Sequence, residues 1–148
     1  MSTSQSGLPQ GGQFRRLALF GGSGVVGRCR DFTRIALLDW GWLPAADEEG
    51  QAVADDVLLL VCELVTNACL HTAGPERLLL HCTESALRVE VADAGPDRPR
   101  PRLPHQPGRP GGHGLHIVAR LSTRWGVTVR EDLAGKSVWL EIAAPSAP

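Results

Sequence analysis

The chain has 148 residues, 43% of them hydrophobic and 21% charged, a balance that suits one globular domain able to bury a core without disulfides or structural metal. With 15 Lys and Arg against 16 Asp and Glu the formal net charge is -1, which argues against a strong basic field and so against direct nucleic-acid binding. No apolar run approaches a membrane span and no secretory pattern opens the chain. Cys29, Cys62, Cys69 and Cys82 show neither CxxC nor zinc spacing and read as reduced core residues, so a cytoplasmic protein away from membranes is expected.

Residues 1–12, rich in Ser, Gln and Gly, read as a disordered leader. Residues 14–20 alternate Leu17 and Leu19 against arginines and read as a strand. After Gly21–Gly24, residues 25–40 carry apolar side chains at helical spacing, and Gly41 ends that helix. Asp47 or Glu48 can cap the next helix, expected over 51–71, whose apolar residues cover most of its circumference; such a helix is a buried one. Gly74 and Pro75 stop it. Two strands follow at 77–82 and 86–93, joined tightly through Thr83, Glu84 and Ser85. Residues 94–112 form a long Pro/Arg/Gly-rich loop, 114–122 a short helix, and 124–131 with 136–142 a hairpin. Residues 143–148 read as a frayed tail. The order β-α-α-β-β-loop-α-β-β predicts a sheet covered on one face by helices.

Three features carry chemistry. Glu63, Asn67 and His71, at i, i+4 and i+8, form one polar stripe on an otherwise apolar helix. A buried amide without partners costs about 1–3 kcal/mol and a carboxylate more, so a ligand or a polar network must compensate unless the stripe meets water. The period-two run Leu87, Val89, Val91, Asp93 then sends a carboxylate inward at a strand end, where it suits an acceptor for a buried amine such as that of adenine. The plainer alternative is a turn-starting aspartate bonded to its own backbone. Last, a connection as long as 94–112 is a lid, a binding loop or disorder. It exits through Gly111-Gly112-His113-Gly114-Leu115, and glycines opening a helix let backbone N–H groups approach an anion.

Together these residues resemble the GHKL ATPase superfamily over 60–142, and more loosely from residue 14. The nearest branch is that of small bacterial anti-sigma-factor serine/threonine kinases. Glu63-Leu64-Val65-Thr66-Asn67-Ala68-Cys69-Leu70-His71 matches its ExxxNAxxH box, Asp93-Ala94-Gly95 the start of its DxGxG box, and Gly112-His113-Gly114-Leu115 its GxGL box. Trp125-Gly126-Val127 and Gly135-Lys136-Ser137-Val138-Trp139 look like strand motifs of the same branch. The resemblance implies an α+β fold of the Bergerat type, a two-layer α/β sandwich with a mixed, mostly antiparallel sheet. It would occupy 13–143 as one domain with a lid at 94–112 and a flexible tail at 144–148.

The resemblance also implies roles. Glu63 is the expected general base and Asn67 the magnesium ligand. Asp93 is expected to accept from the adenine amine, with Gly95 in the following turn. Gly111, Gly112, His113, Gly114 and Leu115 are expected around the phosphates of ATP, and Ser137 to add a hydroxyl near them. His71 has no assigned role. Arg109, with Arg98, Arg100 and Arg102, is free to meet phosphates or an acidic partner. Pro96 and Asp97 depart from the DxGxG pattern, and six prolines stiffen the lid.

The implied activity is transfer of the ATP γ-phosphoryl group to an anti-anti-sigma partner, with sequestration of a sigma factor; a homodimer is left open. A nucleotide-dependent switch without kinase activity is the alternative. A remote one is dinucleotide binding through Gly22-Ser23-Gly24-Val25-Val26-Gly27, which satisfies GxGxxG but lacks a second strand ending in an acid. Gly135-Lys136-Ser137 resembles the end of a P-loop but falls in a hairpin.

Overall fold

The long apolar helix is the element against which the others are placed. A computed structural model describes residues 12–19, 23–71, 74–93, 112–130 and 135–145. Its elements are β1 (Gln13–Ala18), α1 (Val25–Asp39), α2 (Glu48–His71), β2 (Pro75–Cys82), β3 (Ala86–Asp93), α3 (Gly112–Leu121), β4 (Arg124–Arg130) and β5 (Gly135–Ala143), the order read from sequence. Residues 1–11 of the leader expected at 1–12, and residues 94–111 of the loop expected at 94–112, lie outside the described residues. Helix α2 starts at Glu48 because Asp47 caps it: Asp47 Oδ1 accepts from the Gly50 N–H at 2.8 Å, and its carbonyl accepts from the Gln51 N–H at 3.0 Å. The left-handed turn that opens α1 falls on Gly24, φ 80°, where a side chain would be strained.

The five strands form one sheet in the order β1-β2-β3-β5-β4, antiparallel at every pairing. The α+β architecture is as expected; the sheet, expected mixed and mostly antiparallel, is wholly antiparallel. Alternation fixes its two faces. Leu78, Leu80 and Cys82 of β2, Leu87, Val89 and Val91 of β3, and Leu140 and Ile142 of β5 are buried on one of them. That face meets Val57, Leu60, Val61, Leu64 and Val65 of α2 in a common core. Burying each such side chain stabilises by about 1.5–3 kcal/mol. Helix α2 packs against both α1 and α3. Arg15 ties β1 to the end of α1 through Asp39, 2.7 Å away, with its guanidinium over the Trp40 ring at 5.1 Å.

On the other face Trp139 lies across β4. A Cβ at Gly126 would stand 2.8 Å from its indole, so the glycine of the Trp-Gly-Val run makes room for that ring. The Arg88 and Arg124 guanidinium carbons lie 4.2 and 5.9 Å from the ring centre, and Glu141 accepts from both arginines. The Arg124 hydrogen bond, foremost, holds the Glu141 carboxyl below its ordinary range. Among the described residues no helix is long and apolar enough to cross a membrane.

All four cysteines are free thiols, but they are not all core residues as expected. Cys29 and Cys82 are buried, Cys62 is half-buried and Cys69 is exposed, since its position on α2 turns away from the sheet. Burial pushes the Cys29 and Cys82 thiols from 9.0 up to about 11; Arg28 opposes the rise at Cys29, and a Trp42 hydrogen bond opposes it at Cys82. Stability should therefore be intact below pH 9.0 and fall as pH rises toward about 11, where unfolded thiols ionise and the buried ones resist. In native protein a thiol reagent should modify Cys69 first and Cys29 and Cys82 only on unfolding. Early modification of Cys82 would contradict this packing.

Candidate functional site

The site begins with the geometry of α2. At 100° per residue its buried arc runs through Leu60, Leu64 and Ala68. Its exposed arc on one side runs through Leu59 and Leu70, 42% and 52% exposed. Glu63 and Asn67 fall on the border between them, and both are half-buried. One turn separates them, about 6 Å of rise. The helix is thus apolar over its inner arc but not all round, and the polar pair stands where the core meets water. Asp56 lies on the same edge, two turns earlier; burial, and then neighbouring Asp55, push its carboxyl up. His71 is the last residue of α2; its side chain is outside the described part.

Asp93 closes β3 on the face of Leu87, Val89 and Val91, only 5% exposed. The inward carboxylate expected from alternation is therefore present. Across the β3–β5 pairing its partner is Lys136, whose Nζ lies 3.2 Å from Asp93 Oδ2, with the two side chains 9% and 4% exposed. Ser137 pairs with Ala92 and so points to the opposite face of the sheet. Ser137, expected near the phosphates, thus lies on the sheet face away from Asp93, and the β5 side chain beside Asp93 is the Lys136 ammonium. Successive strand residues face opposite ways, so a one-residue error exchanges the two. Lys136 belongs to the Gly135–Trp139 run that resembles a strand motif of the branch, and β5 is a strand with no helix after it among the described residues, unlike a P-loop.

Gly112, His113, Gly114 and Leu115 form the first turn of α3, whose leading N–H groups have no acceptor within the helix and favour an anion. Gly95, Arg109 and Gly111 lie outside the described residues. The dinucleotide alternative fails on topology. Strand β1, which precedes the glycines, pairs antiparallel with β2, whereas that fingerprint belongs to a parallel βαβ unit.

This donor set fits Mg-ATP. An inward carboxylate suits an exocyclic amine, an amide oxygen suits magnesium that keeps water and phosphate ligands, and a helix N-terminus suits phosphate. A buried ion pair is itself costly to break, because the partner left behind is an unpaired buried charge. Asp93→Leu should lower the unfolding free energy by about 3 kcal/mol or more, and adding Lys136→Met should recover most of it. Urea unfolding of the variants checks this. A loss under about 0.5 kcal/mol would mean that water already screens the pair.

A family model described as the histidine kinase-like ATPase domain matches residues 34–142. No curated protein matches the chain. Among solved structures, the chain is similar to the catalytic domain of the histidine kinase ThkA, at 15% identity and a TM-score of 0.48, over 90% of this chain and 99% of that one. It is also similar to the histidine kinase domain of the blue-light activated histidine kinase EL346 from Erythrobacter litoralis, at 19% identity and a TM-score of 0.46, over 95% of this chain and 71% of that one. The family match spans the polar edge of α2, the end of β3, α3 and most of β5, and the chain belongs to the histidine kinase-like ATPase domain family.

Proposed function

We propose that this ATP-binding regulatory domain binds Mg-ATP between α2, the end of β3 and the start of α3, and phosphorylates a serine or threonine of a protein partner. The observation that carries the reading is the half-buried pair Glu63 and Asn67 on one edge of α2, on the helix whose core face packs on the sheet that ends in inward-facing Asp93. Asn67 holds magnesium through its side-chain oxygen, and Asp93 orients the adenine. The first-turn amides of α3 neutralise phosphate charge. When bound, Mg-ATP supplies an electrophilic γ-phosphoryl group whose charge the metal spreads. Glu63 takes the proton from the partner hydroxyl as that oxygen becomes the nucleophile.

The partner in this reading is an anti-anti-sigma protein, with a sigma factor as the protein held or released. The likeness of Glu63–His71 to the anti-sigma kinase box supports it, and a carboxylate beside the metal ligand is what a kinase needs and a passive switch does not.

Removing the metal ligand and removing the base should have different effects. Asn67→Ala should weaken Mg-ATP binding by about tenfold or more, read by calorimetry. Glu63→Ala should bind Mg-ATP nearly as well as the parent and lose about a hundredfold or more in phosphoryl transfer to a co-encoded partner, read with labelled ATP. Binding without transfer in the unaltered protein would support the switch. Equal loss of binding in both variants would make the stripe a structural edge.

A further inference from the structure

The sheet ends in two edge strands, and only one of them is protected. Strand β1 carries Arg15 and Arg16 in succession, and the end of α1 lies against it through the Arg15–Asp39 pair and the Trp40 indole N–H, which donates to Gln13. Strand β4, at the other edge, bonds to β5 alone among the described residues. Its register with β5 runs unbroken from Arg124 to Arg130. It has no proline, no bulge and no charged residue at its three inward positions, the devices that keep such an edge from pairing. Those positions are Trp125, Val127 and Val129, which stand opposite Leu140, Val138 and Lys136 on the core face of the sheet. They are nevertheless 38%, 45% and 42% exposed, since α3 packs mainly on α2 and leaves them uncovered. A row of apolar side chains beside an open line of backbone N–H and C=O groups is a template for one more strand.

We infer that β4 receives an extended segment of a partner protein as an added strand, and that this segment alternates apolar residues and carries an acid opposite Arg124. Charge sets the occupant. Helix α3 and strand β4 hold Arg120, Arg124 and Arg130 and no acidic residue, in a chain whose formal net charge is -1. The next acids, Glu131 and Asp132, follow the other end of β4 and lie outside the described residues. Arg120 is exposed, and the Arg124 side chain is 67% exposed although its Nε donates to Glu141. A guanidinium has further N–H groups to give, and Glu141 is shared with Arg88. A second copy of this chain fits less well. Antiparallel pairing of β4 with itself, centred on Val127, sets Arg124 opposite Arg130 at both ends, and like charges directly opposed destabilise a strand pair. A different strand escapes this by placing an acid opposite Arg124. Alternation then puts its apolar residues beside Trp125, Val127 and Val129, and small or polar ones beside Gly126 and Thr128. Main-chain hydrogen bonds supply the affinity of such an added strand, and the alternate side chains its selectivity. The docking needs no nucleotide and stands apart from the ATP reading above.

The test is NMR titration of the whole chain, free of nucleotide, with a capped probe peptide Glu-Val-Thr-Val-Thr-Val-Glu, which offers the same pattern in either strand direction. Backbone amide shifts should saturate along Arg124–Arg130 with a Kd at or below about 1 mM, and amide exchange there should slow. The same peptide with lysine for both glutamates should bind at least about tenfold more weakly. Val127→Lys, a change at an exposed position that sets a charge in the middle of the apolar row, should abolish binding of the acidic peptide. Arg124→Glu should reverse the preference in favour of the lysine peptide. Should Arg124→Glu fail to fold, the two peptides on the parent protein decide. No shift along β4 at about 5 mM peptide, equal binding of the two peptides, or shifts confined to another surface would overturn the inference. So would a parent protein that sediments as a dimer and that Val127→Lys makes monomeric, since the occupant of the edge would then be a second copy.

Discussion

Helix α2 lies across the sheet with two periodicities in contact, 3.6 residues on one side and two on the other. Leu60, Leu64 and Val61 meet the inward side chains of β2, β3 and β5 in one core, and that contact allows few rotations of the helix. Once its apolar arc faces the sheet, Glu63 and Asn67 must emerge at the border. Once Val89 and Val91 face the helix, Asp93 must face the same way. The candidate site is thus a consequence of packing: the residues that build the core aim the polar groups at its rim. A rotation of α2 by one residue, about 100°, would cover the pair or turn it fully outward.

The Asp93–Lys136 pair imposes a second constraint. Its two charges sit at the end of the central strands, each with little access to water, so replacing one of them removes an ion pair from a place where water substitutes for it poorly.

The elements legible in the sequence are those whose pattern is local. Strand β3 runs from Ala86 to Asp93 as read, because its alternation is unbroken and a tight turn precedes it. The inward direction of Asp93 follows from the same alternation. Helix α2 was visible from its apolar residues, though its start required choosing between Asp47 and Glu48, a choice made by one hydrogen bond to Gly50. The direction of Ser137 follows from alternation too, since Val138, Leu140 and Ile142 put Lys136 on their face and Ser137 on the other. Which residue of β3 each one stands beside depends on register between strands separated by a long stretch of chain, and motif spacing alone does not give it. The reason for Gly126 is non-local too, since it lies in the indole of Trp139 on the neighbouring strand. The exposure of Cys69 is hidden in an apolar run, because α2 keeps an arc turned away from the sheet that composition alone does not reveal.

The central claim is that Mg-ATP binds where α2, β3 and α3 meet. Backbone amide shifts recorded by NMR during Mg-ATP titration test it most directly. The account predicts saturable shifts concentrated at Glu63–Asn67, at Val91–Asp93, at Gly112–Leu115 and at Lys136. Shifts concentrated instead around Gly24 and Gly27, or none at any site with nucleotide in large excess, would contradict it.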